Sequence, residues 1–237
     1  MSNAVYTSLT RLHGLEMEMR SVANNLANSS TTGYKSDRPY FAEFLVSTES
    51  AMGSLSMGGV NGQIFNLDQG AIKMTGASLD AAIQGDGYFA VDTAQGPRLT
   101  RAGSFTLSPD GVLMDPQGSA VLAAGGNPIN IPENASNIAI GADGTLTVDG
   151  EIVNRLGVFE ATGELQRETS TYFVAPQGYQ AIETATVVQG ALEQSNVSPV
   201  LEISRMIEVQ RAYEAGQSLI ELDGNRLEQT ISTLRER

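Results

Sequence analysis

Near the start of the chain, Val5, Leu9, Leu12, Leu15, Met19, Val22 and Leu26 recur at spacings of three and four without a break, which lays one apolar stripe along a helix. The stripe runs into Asn24, Asn25 and Asn28, whose side chains compete for backbone hydrogen bonds, and then into Thr31, Thr32 and Gly33. Gly33 can take the positive φ that ends a helical path. At the other end of the chain Met206, Val209, Tyr213, Gly216, Ile220, Asp223, Leu227, Thr230 and Leu234 follow the same three-four alternation, with Pro199 marking where this second helix can begin. Ile203, Ile207, Leu219, Leu222 and Ile231 widen the seam beyond what a lone surface helix requires.

Between about residues 78 and 185 the period drops to two, in short runs of valine, isoleucine, threonine and aromatics that predict strands at 88–92, 98–100, 145–148, 155–159 and 172–175. Asp86-Gly87, Asp110-Gly111, Asp143-Gly144 and Asp149-Gly150 punctuate these runs and suit hairpin turns that need positive φ. Residues 35–75 show neither period; they are rich in Gly, Ser and Met around a small aromatic knot at Tyr40, Phe41 and Phe44. The expectation there is an extended linker that becomes ordered against neighbouring subunits. The pattern therefore predicts an α+β chain. Paired N- and C-terminal helices (1–34 with 186–237) form a discontinuous coiled-coil module, 35–75 is the linker, and 76–185 is a central all-β domain rich in hairpins. Closed on each other, the two helices would still leave apolar surface for other subunits to cover.

Charge narrows the choice of partner. Twenty-seven acidic residues against fourteen basic ones give a net charge of −13, which repels nucleic acid and anionic membrane surfaces. The excess is concentrated in residues 75–195, with fourteen acids and four bases. There is no cysteine, so neither disulfides nor cysteine-held metals stabilise the fold. Arg11, His13, Glu16, Glu18 and Arg20 break any apolar run that a secretory signal would need, and no stretch approaches the ~20 apolar residues of a membrane span. The sequons at Asn28, Asn134 and Asn196 consequently carry little weight.

Chemistry is sparse. Gly85-Asp86-Gly87-Tyr88-Phe89-Ala90 imitates a dinucleotide fingerprint, but a strand follows it where that motif opens a helix, so a hairpin turn is the expectation. No Asp-Gly pair has the ligand spacing of a calcium loop closed by glutamate. His13 is the single histidine, on a predicted helix, with no nucleophile-elbow serine to serve, and no carboxylate pair stands out as an acid/base couple. The reading is a non-enzymatic protein without cofactor or metal. A secreted β-rich, adhesin-like binding module that uses its helices to oligomerise is the alternative.

The residues carry a resemblance as well. Val22-Ala23-Asn24-Asn25-Leu26-Ala27-Asn28 with Thr31-Thr32-Gly33-Tyr34-Lys35 resembles the opening signature of the flagellar rod and hook family. Gly190-Ala191-Leu192-Glu193-Gln194-Ser195-Asn196-Val197 followed by Met206-Ile207-Glu208-Val209-Gln210-Arg211-Ala212-Tyr213-Glu214 resembles its closing signature. Leu79-Asp80-Ala81-Ala82-Ile83-Gln84-Gly85-Asp86-Gly87-Tyr88-Phe89 and Thr100-Arg101-Ala102-Gly103-Ser104-Phe105 are similar to that family's β domain. The resemblance implies a structural subunit of the basal-body rod, in the periplasm-spanning part of the flagellum. It implies export by the flagellar type III apparatus without a cleaved signal, polymerisation with itself and other rod proteins, and no membrane insertion. The assembly residues expected are Leu9, Leu12, Met19, Val22, Asn24, Asn25, Leu26, Asn28, Thr32, Gly33, Met206, Val209, Tyr213, Ile220, Leu227 and Leu234. Among these the asparagines would form a hydrogen-bonded turn that locks subunits together.

Overall fold

The structure is a computed structural model that describes residues 3–46, 55–132, 135 and 137–235. Helix α1 (Asn3–Ala27) opens the chain and helix α2 (Pro199–Arg235) closes it, with short strands between them, so the α+β class holds. The chain forms two compact units, one made of Met1–Ala27, Ser36–Asn66 and Ser198–Arg237, the other of Asn28–Lys35 and Leu67–Val197.

In the first unit α2 starts as its sequence dictates. Pro199 occupies the first helical turn, where its missing N–H is not needed, and the Glu202 amide donates to the Ser198 carbonyl at 3.0 Å. Glu202 places negative charge in the first turn and Arg235 positive charge in the last, both favourable to the helix dipole. Val209 is buried and Met206, Tyr213, Gly216, Ile220 and Asp223 are partly covered, so the three-four alternation picks out the inward side of α2. A Cβ at Gly216 would come within 2.7 Å of Leu12 Cδ2, so glycine allows the close approach of the two helices. Arg205 adds hydrogen bonds to Glu18 Oε1 at 2.9 Å and 2.7 Å.

Two expectations change here. Ile203, Ile207, Leu219, Leu222 and Ile231 do not widen the buried seam; they are exposed, Leu219 and Ile231 each at 63%. The segment 35–75, expected as a linker, contains strands β1 (Asp37–Val46) and β2 (Leu55–Phe65), an antiparallel pair with a register shift between Tyr40 and Phe41. A two-stranded ladder is held by backbone hydrogen bonds, and Gly58, Gly59 and Gly62 carry no side chain that could mark a period of two.

The second unit is built around strand Tyr88–Thr93. It pairs antiparallel with Gly96–Thr100 along its length, and with Ala120–Val121 and Val158–Ala161 over shorter stretches, inside a nine-stranded sheet. A three-stranded sheet of Ile138–Ile140, Thr145–Val148 and Glu151–Arg155 contributes Leu146 and Val148 to the same core, beside Phe89, Val91, Leu113 and Val158. The predicted strands are found, except that 155–159 divides into the ends of Glu151–Arg155 and Val158–Ala161. Asp149 and Gly150 both have positive φ, 51° and 91°, in the two-residue turn between paired strands that Asp-Gly favours. Asp86-Gly87 differs. It lies in a turn, but the strand before it, Ala81–Gln84, pairs with Thr186–Gln189 and not with Tyr88–Thr93, so no hairpin forms there.

The unit boundaries also depart from those expected. Residues 28–34 and 186–197 belong to the β-rich unit and not to the helical module, the latter because Thr186–Gln189 pairs with Ala81–Gln84 and Ala191–Glu193 with Ile72–Met74.

Candidate functional site

Each segment that carries the family resemblance contributes one charged side chain to a single buried cluster. Lys35 Nζ donates to Glu193 Oε1 at 2.6 Å and to the Asp68 carbonyl at 2.7 Å. Arg101 Nη1 donates to Glu193 Oε2 at 3.0 Å, and Arg101 Nη2 to the Gly85 carbonyl at 2.8 Å. The Gly70 amide completes the shell of Glu193 at 3.0 Å. The three side chains are 0%, 1% and 3% exposed in the order Lys35, Glu193, Arg101. Two cations thus share one anion where water cannot reach them; backbone carbonyls accept one further donor from each cation, and Arg101 Nε is left buried without a partner.

Backbone bonds reinforce the cluster. The Gly33 amide donates to the Glu193 carbonyl at 2.8 Å and the Asn196 amide to the Tyr34 carbonyl at 3.4 Å. The chain entering the β-rich unit after α1 therefore lies beside the chain leaving it before α2. Gly33 sits at φ 70° against Arg101 and Ala102, an approach only glycine permits. Beside it, Arg167 donates to Tyr34 Oη at 3.0 Å and to the Lys35 carbonyl, with its guanidinium 4.6 Å from the Tyr34 ring centre.

Burial lowers the Lys35 ammonium below the ordinary lysine range, an effect that the hydrogen bond and charge of Glu193 oppose and the charge of Arg101 reinforces. Folded Lys35 therefore releases its proton more readily than unfolded Lys35. Between its depressed value and the ordinary one the unfolded chain binds more protons, so this contribution to stability rises with pH across that window. Urea titrations between neutral and alkaline pH are expected to show the full chain gaining stability relative to Lys35→Met; a parallel pair of curves would rule this linkage out. Burial also raises the Tyr88 phenol, against the Arg101 guanidinium 5.1 Å from its ring.

Within its own chain the asparagine motif makes a hydrogen-bonded turn, the Thr31 amide donating to the Asn28 carbonyl at 3.0 Å, and a clasp on the next strand. Asn25 is fully buried and brackets Asp37 of its own chain: its Nδ2 donates to the Asp37 carbonyl at 2.9 Å and its Oδ1 accepts the Asp37 amide at 3.1 Å. Ser21 Oγ lies 2.9 Å from the same carbonyl and 2.8 Å from Asp37 Oδ1, and so can donate to either. Asn24 is exposed, and Asn28 accepts from Thr31 at 3.2 Å. Replacement Asn25→Leu would leave a buried donor unpaired at the start of β1, at a cost of about 1–3 kcal/mol. Amide exchange should accelerate at Asp37 and stay unchanged in strand Tyr88–Thr93; equal acceleration at both would show that the motif supports the whole chain.

Of the remaining expected assembly residues, Val22 and Val209 are buried, Leu12, Met19, Leu26, Thr32, Met206, Tyr213 and Ile220 are half-buried, and Leu9 is exposed. The side chains of Leu227 and Leu234 lie outside the described residues, as do those of Val5 and Thr230. Lys35, Arg101 and Glu193 were not among the expected site residues. A signal for them existed, since each is a lone charge inside a motif of otherwise small, polar or apolar residues. Among the described residues no group of three or more His, Cys, Asp or Glu side chains could hold a metal ion, and no helix is long and apolar enough to cross a membrane.

Comparison with known proteins agrees with this geometry. Residues 6–35 match the family "Flagella basal body rod protein", residues 82–148 match "Flagellar hook protein FlgE/F/G D1 domain", and residues 188–233 match "Flagellar basal body rod FlgEFG protein C-terminal". The chain is 35% identical to the flagellar basal-body rod protein FlgF of Rhizobium meliloti, across 99% of this chain and 98% of that protein. It is 37% identical to FlgF of Caulobacter vibrioides, across 91% of each. To the rod protein FlgG of Bacillus subtilis it is 30% identical, across 99% of this chain and all of that protein. Lys35 closes the first matched segment, Arg101 lies in the second and Glu193 in the third.

Proposed function

This chain belongs to the flagellar basal-body rod protein family, and from that premise we propose how a structural subunit of the rod assembles. Its role in the flagellar basal body is mechanical and not enzymatic, and it interacts with other rod proteins. In the finer reading, α1 and α2 pair as a coiled coil and polymerise, with itself and with those partners, through Leu9, Leu12, Met19, Val22, Leu26, Met206, Val209, Tyr213, Ile220, Leu227 and Leu234. The assembled subunits form part of the shaft between the membrane-embedded base and the hook. Export through the flagellar type III apparatus without a cleaved signal belongs to the same reading. So does consolidation of residues 35–75 when neighbours pack on them.

One observation carries the finer reading: large apolar side chains of α2 stay exposed along its length. Leu201, Ile203, Ile207, Leu219, Leu222 and Ile231 are 46% to 68% exposed. Burying such side chains fully against neighbours contributes roughly 1.5–3 kcal/mol each before entropy is charged against it, which suits a helix that finishes packing on assembly.

The test is electron microscopy of basal bodies from an in-frame deletion strain, complemented with the full chain or with a version lacking residues 201–237. A rod that is missing or cut short, and restored by the full chain alone, is the expected result. Intact rods in the deletion strain would sink the structural reading and turn attention to an adhesin-like role.

A further inference from the structure

The buried cluster lies where the chain enters and leaves the β-rich unit, and that position suggests a task beyond holding a sheet together. Without a junction there, the pairing of Ile72–Met74 with Ala191–Glu193 would still leave residues 28–71 as the tether between α1 and the segment that leads into α2. With Gly33 bonded to Glu193 and Tyr34 to Asn196, the tether shortens to the few residues from Asn28 to Gly33 and from Glu193 to Ser198. Effective concentration falls as about the three-halves power of tether length, so this shortening raises that of one helix near the other by roughly eightfold.

We propose that Lys35, Arg101 and Glu193 form an electrostatic latch whose closure brings the two terminal helices into pairing range, with Glu193 as the positioning residue. The proposal rests on the pairing of α1 with α2 given above. Glu193 is the key because it is the only acid of the three: its side chain meets one cation from the segment after α1 and one from just past strand Gly96–Thr100, while its own backbone leads into α2. Removing its charge leaves two buried cations close together and without their shared anion, which opens the junction. Removing Lys35 leaves Arg101 and Glu193 matched and loosens only one side. The lone lysine and arginine do not serve an accessible site, since all three side chains are sealed from solvent.

The chain has no cysteine, so a reporter can be placed cleanly. Glu18→Cys with Arg205→Cys replaces a half-exposed ion pair between the helices, and the rate of disulfide formation between positions 18 and 205 reads how often the helices meet. In the full chain with the latch intact the bond should form readily. Adding Glu193→Gln should slow it several-fold while the β-rich unit stays folded, and Glu193→Asp should restore part of the rate. If Glu193→Gln does not fold, Lys35→Met in the same background should give an intermediate slowing. An unchanged rate in a folded latch variant whose Gly33 amide has become exchangeable overturns the latch. Failure of the bond to form with the latch intact overturns the helix pairing itself, and the latch with it.

Discussion

Exchange of Glu193 for glutamine is expected to destabilise the β-rich unit by about 3–5 kcal/mol, and Lys35→Met by less than half as much. The asymmetry follows from counting charges. The wild-type cluster holds two cations and one anion; Glu193→Gln leaves two buried cations and no anion, whereas Lys35→Met leaves the Arg101–Glu193 pair with the Gly70 amide still on the carboxylate. Arg101→Met should fall between the two, because it also strips the Gly85 carbonyl of its donor. Urea denaturation of the full chain, followed by the signal of tyrosines in the β-rich unit, measures all three. Equal losses for Glu193→Gln and Lys35→Met would mean that desolvation and packing set the energy of the cluster and its charge balance does not.

The same cluster shows where reading the sequence stops. Period carries well over a long stretch: Met206, Val209, Tyr213, Gly216, Ile220 and Asp223 were placed on one side of α2 by spacing alone, and that side is the covered one. Spacing could not say how wide the covered side is, because Leu219 and Leu222 are as apolar as their neighbours and only the partner helix decides which residues it reaches. Strands marked by β-branched and aromatic runs were legible, whereas Ile72–Met74 and β1–β2 were not. Ile72–Met74 is too short for a period to show and its partner lies far along the chain, while the glycines of β2 write no alternation. Lys35, Arg101 and Glu193 lie in separate parts of the chain and share no period. Topology alone brings them together, and only the family motifs around each one hinted that they matter. Asn25 stands out in the sequence as a residue able to bond nearby backbone, but its partner, Asp37 of the same chain, depends on a strand the pattern does not predict.

Gly33 yields the second large effect, and two separable causes contribute to it. Its φ of 70° costs an L-residue about 1 kcal/mol wherever it occurs. In addition, a Cβ at this position would lie 2.3 Å from Ala102 N and 2.5 Å from the Arg101 carbonyl carbon, both backbone atoms that cannot swing aside as a flexible side chain would. Relief requires the segment 31–35 to move away from 100–103, which stretches the Gly33–Glu193 bond and pulls Lys35 and Arg101 off their shared carboxylate. Gly33→Ala should therefore cost more than about 3 kcal/mol. Gly118→Ala supplies the control. At φ 84° with nothing within 4 Å of its Cβ, it carries the conformational cost alone and should lose only about 1 kcal/mol. Thermal unfolding of the two variants beside the parent separates the contributions. If both lose the same small amount, the chain at Gly33 yields freely, and the junction between the two ends of the β-rich unit is softer than its bonding pattern implies.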